Sequence, residues 1–118
     1  MKFTESLKKN YQFRFVYNRG KSIANRQLVM YIYPNGTMCN RLGISVSKKV
    51  GKSVVRSRVT RLIRESYRLV EDKVSKGYDI IVIARTGVNG LPFCDVQKSV
   101  VYLLKKQGLY DSQIKNQA

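Results

Sequence analysis

Residues 78–84 read YDIIVIA, a short continuous run rich in β-branched side chains. It lacks the alternation of a half-exposed strand and is too short for a buried helix, so it is expected to be a buried strand that other elements must cover. The 118 residues around it suffice for one domain, spanning 1–118, with a modest core. A hydrophobic fraction of 43% separates the chain from a disordered basic tail.

The remaining elements follow from punctuation and period. Thr4 is placed to cap a helix from about Glu5 to Asn18, with Gly20 near its end. This helix carries Tyr11, Phe13, Phe15 and Tyr17. Phe13 and Tyr17 pair at i,i+4, and Tyr11 with Phe15 on a different side, so one pair can reach a core while the other stays at the surface or lines a cleft. Leu28–Tyr33 is strand-like, Pro34-Asn35-Gly36 is a turn signal, and Arg41–Ser47 alternates. Leu42, Ile44 and Val46 share one face of that second segment, and Gly43, Ser45 and Ser47 the other. The two segments read as an antiparallel hairpin. The small face would let another molecule approach the backbone.

A long helix is expected from Ser53, a suitable N-cap, to Val74, with Gly77 as its stop. Lying between two strands, it suggests a βαβ crossover. Leu91-Pro92 opens a last helix to about Gln107, with Val96, Val100, Leu103 and Leu104 on its apolar side and Gly108 at its end. Residues 109–118 read as a frayed tail. The order αββαβα implies an α/β (α+β) two-layer sandwich, its helices packed on a small mixed sheet.

Charge narrows the partner. The chain has 23 Lys plus Arg against 7 Asp plus Glu, a formal net charge of +16. An excess of this size repels itself, and a polyanion relieves it by releasing counterions, so nucleic acid leads the partner classes. Cys39 and Cys94 have no metal-ligand spacing and the chain has no His, which excludes a zinc finger. Two free thiols in a reducing cytoplasm are expected. No signal-peptide core or run of about 18 apolar residues is present, so a cytoplasmic chain with no membrane partner is expected. A monomer is the working expectation.

The basic residues are concentrated. Arg41–Arg68 holds nine of them with Glu65 as its only acid. On a helical wheel Val55, Val59, Leu62, Ile63, Leu69 and Val70 occupy one arc; Arg56, Arg61, Arg64 and Arg68 occupy the other, with Arg58 at its margin. A solvated face normally mixes signs, whereas Arg64 and Arg68 are like-charged neighbours at i,i+4. Guanidinium groups can take two phosphate oxygens at once. Lys48, Lys49 and Lys52 lie in the approach to the helix N-terminus, which itself favours anions. Gly51-Lys52-Ser53 fails as a phosphate-binding loop because position 46 is Val46, not Gly. A catalytic site is not expected: there is no His, Glu71 and Asp72 diverge on a helix, and Asp79 and Asp95 are isolated.

The segment SVSKKVGKSVVRSRVTRLIRESYR closely resembles the signature of the bacterial ribonuclease P protein family, as do SLKKNYQFRFVYNRGKSIANRQLVMY and YDIIVIAR, in the same order along nearly the whole chain. Lys52 and Ser57 stand where the family usually has Asn. The resemblance implies an αββαβα sandwich with a left-handed βαβ crossover, against the usual hand. It further implies a protein subunit of an endoribonuclease that removes the 5′ leader of precursor tRNA, with the catalytic groups and Mg²⁺ on a partner RNA and no cofactor on the protein. Arg56, Arg58, Arg61, Arg64 and Arg68, with Lys48, Lys49 and Lys52, would bind the catalytic RNA. Phe13, Tyr17, Ser45 and Ser47 would line a cleft for the single-stranded leader. The alternatives are a ribosomal or other structural RNA binder and a DNA-binding helix module. The latter lacks the Asn and Gln expected for base readout.

Overall fold

The computed structural model describes residues 1–111, so 112–118 of the expected tail lie outside the described residues. Five strands and three α-helices follow one another as β1 (Thr4–Ser6), α1 (Asn10–Arg19), β2 (Lys21–Ala24), β3 (Leu28–Pro34), β4 (Asn40–Val46), α2 (Ser53–Arg68), β5 (Tyr78–Ala84) and α3 (Phe93–Lys106). The expected class holds, but the order αββαβα omits the short strands β1 and β2.

The strands form one mixed sheet in the order β1-β4-β5-β3-β2. The run that demanded cover takes the middle. β5 pairs antiparallel with β3, from Tyr78 opposite Pro34 to Ala84 opposite Leu28. It pairs parallel with β4, from Asp79 opposite Arg41 to Ala84 opposite Val46. This corrects the expected hairpin: β3 and β4 lie in one sheet, but β5 is inserted between them. A strand apolar from Ile80 to Ala84 gains most from two neighbours, so it displaces the sequence-adjacent pairing. The βαβ unit is present, because β4 and β5 are parallel neighbours joined through α2.

Both faces of β5 are covered. Ile80, Val82 and Ala84 join Leu28, Met30 and Ile32 of β3 against Val59, Ile63 and Tyr67 of α2 and Val96, Val100, Leu103 and Leu104 of α3. Ile81 faces the other way, with Leu7 and Val16, and with Phe13, Tyr17, Tyr31, Tyr33 and Ile83 packed around them. The sheet therefore carries α2 and α3 on one face and α1 on the other. Its centre is three layers deep, one more than expected. The apolar side expected of α3 is buried throughout.

The N-terminal segment differs most from expectation. Thr4 is not a cap and Glu5–Ser6 are not helical: β1 pairs parallel with β4. Distant groups hold it there. The Glu71 carboxylate accepts the Lys2 and Phe3 backbone N–H groups at 2.9 and 3.1 Å. Asn40 N–H donates to the Phe3 carbonyl, and Leu7 N–H to the Leu42 carbonyl. The hydroxyls of Thr4 and Tyr67 share a 2.9 Å bond. These long-range bonds outweigh one local cap. α1 begins instead at Asn10, where the Gln12 side-chain carbonyl accepts from the Lys8 and Lys9 backbone.

β1 ends where Leu42 begins to be left behind. Among the described residues no strand flanks Ile44–Val46 on that side, so this part of β4 is an open edge.

α2 stops at Arg68, short of the expected Val74, and a 3₁₀ turn at Glu71–Lys73 carries the chain on. Leu69, placed on the apolar arc by the wheel, is 49% exposed, while Ser66 and Tyr67 are fully buried. The helix ends before the arc can close. α3 ends as expected at Gly108, at φ +76°; Gly108 N–H bonds the Lys105 carbonyl and Leu109 N–H the Leu104 carbonyl, a Schellman closure. Leu109 is buried and Tyr110 bridges Val74, so fraying cannot begin at 109.

A buried polar hub ties these parts. Asn40, 1% exposed, donates from Nδ2 to the Tyr67 hydroxyl (3.1 Å) and the Ser75 carbonyl (3.0 Å), and its Oδ1 accepts Tyr78 N–H (2.9 Å). Asn40→Ala strands three partners at once and is expected to cost about 3 kcal/mol, read from the urea midpoint at unchanged slope. Burial pushes the Tyr67 hydroxyl above its ordinary value near 10.0, against the lowering effect of its bonds to Thr4 and Asn40. The fold thus favours the protonated phenol. That contribution is intact below pH about 10 and is lost as pH rises towards the higher folded value. Tyr67→Phe should be less stable at neutral pH yet lose less on going alkaline; parallel alkaline falls in both proteins would refute the assignment.

Candidate nucleic-acid interface

α2 presents its arginines in three directions. Arg61, Arg64 and Arg68 are exposed. Arg56 is only partly exposed, and its Nε is buried without a hydrogen-bond partner in the described structure. This corrects the wheel: three residues back from buried Val59, Arg56 lies only about 60° away from it. Arg58 leans towards α3, donating from Nη2 to the Leu91 carbonyl at 3.1 Å. Arg68 holds Glu65 with both Nε (2.9 Å) and Nη2, so the segment's single acid spends itself on one arginine. Both groups are exposed, and each keeps the other charged: the Arg68 bond lowers the Glu65 pKa and Glu65 raises that of Arg68.

The structure brings Arg56 and Arg64 together along a groove of about 470 Å³ beside β4. Ser53, Ser57 and Thr60 complete its helix side, and Ile44 and Val46 its strand side. These helix positions repeat every three to four residues, one turn above another. The small hydroxyl side chains between the guanidiniums leave room for a backbone to lie along the stripe. At the top, Val50 N–H bonds the Ser47 carbonyl and turns the chain into α2, leaving Lys48, Lys49 and Lys52 exposed. Lys52, not Ser53, precedes the first helical residue, and no acid occupies the first turn. The first-turn N–H groups and three exposed lysines therefore lie at the same, anion-favouring end of the helix.

The second region lies across β4, on the face covered by α1. Phe13 and Tyr17 sit with ring centroids 6.2 Å apart, and Tyr17 meets Tyr31 edge-on at 5.1 Å. With Asn10, Arg14, Ile44 and Ser45 these two rings line an open groove of about 440 Å³. Gly43 makes it possible: a Cβ there would stand 2.7 Å from Phe13 Cζ and 2.8 Å from Cε1. Partial burial raises the Tyr17 pKa from its ordinary value, and a bond with the Ser45 side chain works against that rise. Ser47, expected beside Ser45, lies past the end of β4, exposed in the turn to α2. The contribution of Tyr31 was not anticipated, although a two-residue period through Val29, Tyr31 and Tyr33 would have placed it on the α1 face. Asn10, Arg14 and Ile44 carry no local signal.

Ile44 lines both grooves, so the arginine stripe and the aromatic groove meet across the open edge of β4. Among the described residues no three His, Cys, Asp or Glu side chains come together in a way that could hold a metal ion. Glu71 is occupied by β1, Asp79 by Arg41, and Cys39 and Cys94 are exposed free thiols. No helix among the described residues is long and apolar enough to cross a membrane.

Comparison with known proteins identifies the family and the fold. The family model for Ribonuclease P matches residues 1–108. The chain is 57% identical over 106 residues to the ribonuclease P protein component of Clostridium kluyveri, covering 88% of this chain and 95% of that protein. Its fold is similar to that of the RNase P protein of Staphylococcus aureus, with a TM-score of 0.83, 38% identity and coverage of 90% and 97% of the two chains. The RNase P protein of Thermotoga maritima matches with a TM-score of 0.80 and 33% identity, over 86% and 96%. A basic chain built around an arginine-bearing helix and an aromatic groove, matched along nearly its whole length, belongs to the ribonuclease P protein family and serves tRNA processing as the protein subunit of that ribonuclease.

Proposed function

We propose that this subunit grips two polyanions at once, the catalytic RNA along α2 and the single-stranded 5′ leader of precursor tRNA in the groove under α1. The observation that carries this reading is the meeting of the two grooves at Ile44. A strand in one groove lies beside a phosphate backbone in the other, and their mutual repulsion is what the surrounding cations offset.

Arg56, Arg61 and Arg64, with Lys48, Lys49 and Lys52, carry the contact to the catalytic RNA. Arg58 and Arg68 contribute from positions already bonded to Leu91 and Glu65. Phe13 and Tyr17 stack on unpaired bases, a mode that tolerates any sequence because every base has a π-face. Ser45 and Gly43 keep the floor low enough for a strand to enter. Bond cleavage, and the Mg²⁺ that assists it, belong to the RNA: the sequence has no histidine, and among the described residues no acids converge to serve as base or ligand set. Its work is to favour precursor over product, since only the precursor carries a leader. It acts in the cytoplasm as a monomer.

Reconstitution with a ribonuclease P RNA tests the reading directly: at low salt the added chain should accelerate removal of the leader. Arg64→Ala should weaken RNA association and lower the slope of log affinity against log salt by about one. Arg68→Ala should change it less, since Glu65 already engages that charge. A slope unmoved by Arg64→Ala rules out the α2 contact. Phe13→Ala should cost precursor about tenfold in affinity and mature tRNA almost nothing. Gly43→Ala, which must displace the Phe13 ring, should show the same bias. Equal losses for precursor and mature tRNA would eliminate the leader groove.

A further inference from the structure

The opposite flank of α1 carries a second aromatic pair. Tyr11 is 64% exposed and Phe15 43%. Two large rings in water at i,i+4 stabilise neither core nor helix much. They border a separate groove of about 560 Å³, lined also by Arg14, Asn18, Arg41 and Asp79. Phe15 is held in place. Phe15 stands edge-on to Tyr33 with centroids 5.2 Å apart, and the Arg19 guanidinium lies 4.8 Å over the Phe15 ring.

The charge of this groove is positive through Arg14, since Arg41 is paired with Asp79 and Glu5 lies opposite it in the β1–β4 register. Its one acid among the described residues, Asp79, is 3% exposed and fully engaged. Oδ1 accepts from Arg41 Nε at 2.7 Å and from Asn35 Nδ2 at 3.0 Å, and Oδ2 accepts from Arg41 Nη2 at 2.6 Å. That grip orients the Arg41 guanidinium at the floor, its charge offset by Asp79 and its remaining amino edge left to act as a hydrogen-bond donor. Arg14 is exposed and lines this groove and the Phe13–Tyr17 groove alike, so it spans the crest of α1 between them.

We propose that Tyr11, Phe15, Arg14 and Arg41 form a second station for single-stranded RNA, which takes an unpaired base and its phosphate from a strand leaving the first groove over the crest of α1. The base stacks on the exposed rings. Arg14 follows the phosphates across the helix, and Arg41 meets the next one at the floor. The inference rests on the first groove receiving the leader, and it extends that site to nucleotides farther from the cleavage point. Charge complementarity selects the occupant, because aromatic faces set among guanidiniums suit a polyanion with stackable bases.

The test uses the enzyme reconstituted from the full chain and a ribonuclease P RNA, with precursors whose leaders lengthen one nucleotide at a time. With the unaltered chain, affinity should rise in an earlier and a later step. Tyr11→Ala should abolish the later step, about tenfold, and leave the earlier one intact. Phe15→Ala should do the same; if that variant loses stability through its contact with Tyr33, the exposed Tyr11 carries the test alone. Phe13→Ala should remove the earlier step. A later step that survives Tyr11→Ala, or no later step at all, overturns the second station while leaving the first groove standing. A Phe13→Ala variant with normal earlier affinity overturns the first groove instead.

Discussion

The buried amide of Asn40 is the contact on which the relative placement of sheet and helix depends. It sits at the first residue of β4 and reaches the last turn of α2, the residues after it and the start of β5. A buried amide that satisfies these partners fixes distance and angle together, which apolar packing alone does poorly, and leaving any of them unpaired is costly. Through the Tyr67 hydroxyl the same network reaches Thr4 and holds β1. α2 is thereby set against β4 so that its Arg56–Arg64 side runs along the strand edge. The arginine-lined groove is therefore a by-product of how the crossover is locked.

The most pronounced chemical feature of this surface is the spacing of its charges. The chain has an excess of cations, but the structure does not use them alike. Some are tethered, as Arg58 to Leu91 and Arg41 to Asp79; one is offset by Glu65; others stand free on α2 and in the turn before it. A tethered guanidinium gives direction, while a free one adds field and adapts. The aromatic groove adds short-range contact that does not depend on sequence. On the function proposed above, the two together would let the subunit hold different RNAs by what they share.

Much of this was legible from residue order, and the exceptions have a common cause. β5 runs over the predicted residues, since a continuous β-branched stretch has few other options. The buried set of α3 follows from its period, and its end from Gly108. What failed depends on partners far along the chain. Thr4 looks like a cap until Tyr67 and Glu71 are beside it. β3 and β4 look like a hairpin until β5 claims the place between them. Leu69 and Arg56 were misplaced because a wheel assumes an unbroken helix and a sharp boundary between its sides. Of the groove residues, Phe13, Tyr17 and Ser45 could be named in advance. Tyr31, which backs the Tyr17 ring from β3, carries no signal in the helix itself, and Ser47 continues the alternation of β4 past the end of the strand.

The uncovered stretch of β4 has a bearing on how two copies of the free protein would meet. An unpaired strand edge is a template on which another copy can add a strand. What stands guard is electrostatic, since each approaching copy brings the same surplus of cations on the lysines and arginines around that edge. Added salt screens the guard and the attraction to RNA together. Solubility without RNA and affinity for it are thus two readings of one field, and a variant made less basic to curb stickiness would give up some of both.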